Sequence, residues 1–120
     1  YTIYGYKGKQ VRDNIHSEDI TNFVKFFFEK PKIAEVYNIG GGRKNSISIL
    51  ESIDLVEKIT GKKMNFKYNN NERIGDHICY ISDLQKIKKH YPHWEVKKDL
   101  NKIFEDLIIG IKSQNDNCQY

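Results

Sequence analysis

Glu35-Val36-Tyr37-Asn38-Ile39 runs straight into Gly40-Gly41-Gly42, and a helical period begins a few residues later and stops at Gly61. Branched and aromatic side chains in a short apolar run read as a buried strand. Three successive glycines let the backbone turn tightly with no Cβ to place. Ile49, Leu50, Ile53, Val56 and Ile59 then recur at helical spacing, with Asn45 or Ser46 able to cap the helix and Gly61 to end it after Thr60. A strand, a glycine loop and a helix in succession require a sheet with a helix laid on it, which places the chain in the α/β class.

The same loop looks at first like a phosphate cradle, since converging backbone amides and a helix N-terminus attract anions. Gly40–Ser46 nevertheless lacks the third glycine of G-x-G-x-x-G and the Gly-Lys-Ser/Thr of a P-loop. It is expected to be a structural strand-to-helix turn that borders a ligand.

Around this unit the periodicity predicts short strands and three to four helices. Residues 1–16 read as a hairpin or two short strands, punctuated by Gly5 and Gly8. Ser17 to about Lys30 reads as a helix with Ile20, Phe23, Val24, Phe27 and Phe28 on its buried side, the phenylalanines being core. A strand is expected over Lys63–Tyr68 and a brief extended segment over His77–Ser82. Asp83 should cap a helix to about His90, ended by Pro92. The last helix is expected from Asp99 to about Lys112, burying Leu100, Ile103, Phe104, Leu107, Ile108 and Ile111. Residues 113–120 read as a polar, disordered tail.

Charge narrows the partners. The net charge is +4, but the lysines are scattered along helical segments among Asp and Glu, as on solvated faces, so no nucleic acid is expected. No apolar run approaches the ~18 residues of a membrane span, so no membrane is expected either. Cys79 and Cys118 have no metal-ligand spacing and read as reduced thiols of a cytoplasmic protein. The four histidines form no i, i+4 ligand pair, and no metal is expected.

Arginine carries the chemistry. Only Arg12, Arg43 and Arg73 interrupt the lysines, and two of them lie in carboxylate-neighboured motifs: Val11-Arg12-Asp13-Asn14-Ile15-His16 and Glu72-Arg73-Ile74-Gly75-Asp76-His77. A planar, permanently charged guanidinium suits a diphosphate, which it can grip with two parallel hydrogen bonds. On a strand Arg12 and Asp13 must face opposite sides. Local ion pairs are the plain alternative for each arginine. Convergence of both on one diphosphate, with a carboxylate nearby for ribose hydroxyls, would explain the two motifs together. Tyr80 has no local group to lower its phenolic pKa and reads as pocket lining.

Taken in order, Arg12-Asp13-Asn14-Ile15-His16 with Asp19, Val36 to Gly42 with Asn45-Ser46, Arg73-x-Gly75-Asp76, Ser82-Asp83 and Tyr91-Pro92-x-Trp94 resemble the C-terminal portion of the extended short-chain dehydrogenase/reductase enzymes, the NAD-dependent nucleotide-sugar epimerases and dehydratases. The resemblance covers about residues 2–110. The strings Gly5–His16 and Gly75–Leu84 are most similar to the branch that epimerises CDP-paratose and CDP-tyvelose at C2.

The resemblance implies that Arg12 and Arg73 grip the nucleotide diphosphate and that Asp76 accepts from ribose hydroxyls. Ile47, just inside the helix after the glycine loop, would touch base or ribose, and Tyr80 would shape the sugar or nucleotide end of the pocket. It further implies a substrate-binding lobe over residues 1–112, a CDP-linked sugar as ligand, and a homo-oligomeric complete enzyme. NAD would be held by an N-terminal Rossmann half. The family's Gly-x-x-Gly-x-x-Gly loop and Tyr-x-x-x-Lys pair occur nowhere in these 120 residues, so no catalytic or cofactor-binding residue is expected here and the chain alone should be inactive. The opening without methionine is expected of a truncated or excised piece. A non-catalytic nucleotide-diphosphate-binding module, or a basic nucleic-acid-binding domain, is the competing expectation.

Overall fold

The computed structural model describes residues 1–71 and 74–117. In chain order its strands are β1 (Thr2–Tyr4), β2 (Val11–Asp13), β3 (Ser46–Ser48), β4 (Lys67–Asn69) and β5 (Cys79–Tyr80), and its helices α1 (Ser17–Glu29), α2 (Ile49–Thr60), α3 (Gln85–His90) and α4 (Leu100–Asn117). β1 and β2 do not form a hairpin with each other. β1 pairs in parallel with β4, while β2 is the middle strand of a second sheet ordered β3-β2-β5, antiparallel to β3 and parallel to β5. The result is a small α/β fold, as its sequence periods predict.

Aromatic packing holds the larger core. Phe23 of α1 meets Tyr37, Tyr91 and Trp94 edge-on at ring-centroid distances of 5.7, 5.4 and 5.5 Å, the geometry that aligns a positive ring edge with a negative face. Leu84 and Ile87 close the cluster from the α3 side. The Trp94 indole N–H donates to the Asp19 carbonyl at 3.0 Å, and the buried Asp19 carboxylate accepts from the amides of Lys97 and Lys98. One side chain thereby ties α1 to the segment leading into α4.

Several expectations are corrected. Only part of the predicted α1 stripe is inside: Phe23 is buried and Phe26 and Phe27 pack beside it, while Val24 and Phe28 are 55% and 85% exposed. Glu35–Ile39 lies in no ladder among the described residues, although Tyr37 and Ile39 pack on the aromatic core. A strand exists only where a neighbour pairs its backbone, and no described strand runs beside this segment. Helix α2 starts at Ile49, later than Asn45 or Ser46 would cap it, because Ser48 and Glu51 form a reciprocal capping box. The strand expected over Lys63–Tyr68 pairs only from Lys67. Helix α4 continues past Lys112 to Asn117, where no proline or glycine stops it, and its Leu107 and Ile111 are exposed.

Candidate functional site

Strand β2 carries the site because its alternation sorts neighbouring side chains to opposite faces. Gln10, Arg12 and Asn14 turn to one side, into a cleft of about 330 Å³ that is also lined by Tyr1, Tyr4, Ile47, Ile49, Ser52 and Asp76. Asp13 turns to the other side, where its Oδ2 accepts from the amides of Gly42 at 3.0 Å and Ser82 at 3.1 Å. The opposed orientation expected of the Arg12-Asp13 pair is therefore what the strand produces.

Three of the sequence-predicted residues form a row across the sheet. Ile47 of β3 stands opposite Arg12, and Tyr80 of β5 stands beside it on the other flank. Ile47 is thus a strand residue, not the helical one expected, because Ser46–Ser48 pairs with β2 before the capping box opens α2. Tyr80 is 49% exposed, with the His77 ring 6.3 Å away, and is not among the cleft-lining side chains.

Asp76 reaches the cleft from a region 64 residues further along the chain than Arg12. Its Oδ1 lies 4.0 Å from Arg12 Nη2, with the two side chains 39% and 31% exposed. A pair that long and that wet contributes little stability, so the guanidinium keeps most of its capacity for another anion. Arg12 Nη1 donates to the neighbouring Val11 carbonyl at 2.8 Å. Arg73 lies outside the described residues; Gly75, with φ +85°, turns the chain just before Asp76.

The glycine loop supports β2 from behind. The Gly42 amide is given to Asp13, and a Cβ at Gly40 would collide with the Asp13 carboxylate and the Ser82 hydroxyl. A Cβ at Gly41 would strike the Asn14 carbonyl. The loop is built for close backbone approach to β2. Asn45 extends this tie, accepting at its carbonyl from the Asn14 amide at 2.9 Å and donating its side-chain amide to the Lys98 carbonyl at 2.7 Å.

Gln10, Asn14 and Ser52 are cleft residues that the motif reading did not single out. For Gln10 and Asn14 the signal was present as the i±2 companions of Arg12 on one strand face. Ser52 depends on how α2 lies over the sheet, which no local pattern reveals. His16 serves structure by accepting at Nδ1 from the Glu18 amide at 3.1 Å and so capping α1. His90 pairs with the Tyr37 hydroxyl at 2.7 Å.

No protein-family profile matches the chain. It is 35% identical over 91 residues to CDP-paratose 2-epimerase of Salmonella typhi, a match covering 72% of this chain and 26% of that protein. It is 36% identical over 93 residues to UDP-glucuronate 4-epimerase of Thermodesulfobacterium geofontis, covering 78% and 27%. Among solved structures, the UDP-glucuronic acid 4-epimerase of Bacillus cereus, in complex with UDP-glucuronic acid and NAD, superposes with a TM-score of 0.75 at 29% identity over 87% of this chain and 32% of that one. The chain thus spans between a quarter and a third of the length of these relatives.

Proposed function

This chain belongs to the extended short-chain dehydrogenase/reductase family of nucleotide-sugar epimerases and dehydratases, and we propose that its residues 1–112 are the nucleotide-sugar-binding part of such an enzyme. The observation that carries the reading is the meeting of Arg12 and Asp76 in one cleft: a cation for a diphosphate and a carboxylate for ribose hydroxyls, from segments remote in sequence. In this reading Arg12 and Arg73 neutralise the diphosphate, Asp76 accepts from the ribose, Ile47 offers apolar contact to base or ribose, and Tyr80 shapes the pocket's edge. An incoming diphosphate replaces the weak Arg12–Asp76 contact and leaves the carboxylate free to accept from sugar hydroxyls. The finer assignment is a CDP-linked sugar, with 2-epimerisation of CDP-paratose or CDP-tyvelose by the complete enzyme.

Cofactor chemistry belongs, in this proposal, to an N-terminal Rossmann half that holds NAD, because neither the glycine loop nor the Tyr-x-x-x-Lys pair occurs in these 120 residues. The chain alone binds and does not turn over, and the complete enzyme is a homo-oligomer. Two features support a missing neighbour. At about 100° per residue, the buried Asp19 and Phe23, the half-buried Phe26 and Phe27 and the exposed Ile20, Val24 and Phe28 mark an arc of roughly 200° on α1 that is apolar apart from Asp19 and Ser17, about twice what one packed layer needs. Beside it, Glu35–Ile39 lies in no ladder among the described residues, with Val36 79% exposed, as a strand awaiting a sheet edge would.

Calorimetric titration of the chain with CDP and UDP tests the site. Arg12→Ala and Arg73→Ala should each weaken nucleotide binding by about 2 to 4 kcal/mol, the range of a charge-assisted bidentate contact, and CDP should bind more tightly than UDP. Unchanged dissociation constants for both variants would remove the arginines from the site, and a preference for UDP would remove the CDP assignment.

A further inference from the structure

Arg12 is poorly anchored by its own contacts. Its guanidinium meets the adjacent Val11 carbonyl and, loosely, Asp76 at 4.0 Å. Where the guanidinium stands is therefore decided by where β2 stands, and β2 is only three residues long, with three rungs to β3 and two to β5. Strands that short are weakly registered, and a slip of one residue would turn Arg12 out of the cleft.

We propose that Asp13 is the positioning residue that prevents this, holding β2 so that Arg12 faces the diphosphate; the proposal rests on the reading of the cleft given above. One carboxylate oxygen accepts from Gly42, 29 residues away, and from Ser82, 69 residues away, so it joins β2 to the glycine loop and to the chain leaving β5. A carboxylate with two backbone N–H donors is a strong and directional tie. The space it occupies is kept open by Gly40, whose absent Cβ would overlap both the carboxylate and the Ser82 hydroxyl. Asp13 acts through this tie: it turns to the opposite face from Arg12 and is not among the residues that line the cleft.

The tie requires an acceptor, and the charge itself is secondary. Asp13→Ala should lower CDP and UDP affinity about tenfold, and Asp13→Asn, whose Oδ1 can accept the same two bonds, should rescue it to within about threefold of the parent. In an Arg12→Ala background Asp13→Ala should cost less than about twofold more, since a residue acting through Arg12 has nothing left to position. A merely structural Asp13 would give additive losses, and additivity overturns the proposal, as does an Asp13→Asn variant that binds as poorly as Asp13→Ala. A second readout needs no nucleotide: phenylglyoxal labelling, followed by mass spectrometry, should modify Arg12 severalfold faster relative to exposed Arg43 in Asp13→Ala and at the parent rate in Asp13→Asn. Parent-like Arg12 labelling in a folded Asp13→Ala protein overturns the proposal; should that variant not fold, fast labelling in Asp13→Asn does so. If the parent chain binds no nucleotide yet the labelling pattern holds, the ligand reading fails and the role of Asp13 stands.

Discussion

Around Trp94 the chain is held by apolar side chains packed on one another, and around Arg12 it is held by polar ties to backbone. The first region buries Phe23, Leu84, Ile87, Tyr91 and Trp94 in one aromatic cluster, where stability scales with apolar area removed from water. The second has short strands, no residue of β2 buried, and ties made by Asp13, Asn45 and the close approach of Gly40 and Gly41. The contrast separates two tasks. An oily cluster resists unfolding but offers an anion nothing, whereas a polar, half-open strand can present a guanidinium only if other segments fix its orientation.

The largest test of that contrast is Trp94→Ala. Trp94 is 2% exposed and its indole N–H is bonded inside the cluster, so its removal should cost about 4 kcal/mol. Urea unfolding would measure this as a lower midpoint, and a loss under 1 kcal/mol would mean the cluster is not the chain's principal support. Asp19→Ala should follow at about 3 kcal/mol, because the amides of Lys97 and Lys98 lose a buried carboxylate acceptor. The same unfolding curves decide it.

A smaller effect marks the start of α2, between the two regions. Ser48→Ala removes the capping box and should cost about 1 kcal/mol. Hydrogen bonding from the Ser48 hydroxyl and then from its backbone holds the Glu51 carboxyl below its usual range. A group whose folded pKa is lowered contributes stability above its unfolded pKa, about 4.3 for Glu. That contribution should fade as pH falls below that value, through the lowered folded pKa, and Ser48→Ala should flatten this segment of the acid-unfolding curve. An unchanged acid limb would detach Glu51 from the cap.

Smallest of all should be the effect of Arg12→Ala on stability. Its half-exposed contact with Asp76 predicts a change within about 0.5 kcal/mol, beside the large loss of nucleotide affinity expected above. A variant that destabilised the fold as much as it weakened binding would erase the distinction between support and site.

The exposed side of α1 shows where a one-dimensional reading overreaches. Ile20, Val24 and Phe28 recur at the spacing of a buried stripe, yet Phe28 is 85% exposed while Phe26, which the stripe omitted, packs on the core. Periodicity reports that a surface is apolar and says nothing about what covers it. Glu35–Ile39 teaches the same lesson for strands, since its composition is that of a buried strand and it pairs with no strand among the described residues.

Asp83 does not cap α3 as expected, since Leu84 is the N-cap and Asp83 only accepts from the Gln85 amide, but local chemistry was enough to place α1 and the Gly61 stop of α2 and to set Arg12 and Asp13 on opposite faces of one strand. Each of these follows from spacing within a few residues, where backbone geometry leaves few choices. The order β3-β2-β5, the place of Ile47 in a strand opposite Arg12, and the meeting of Arg12 with Asp76 were settled only by tertiary structure. Such contacts join segments tens of residues apart, and their free energy depends on which surfaces bury each other, a quantity that no window of sequence contains.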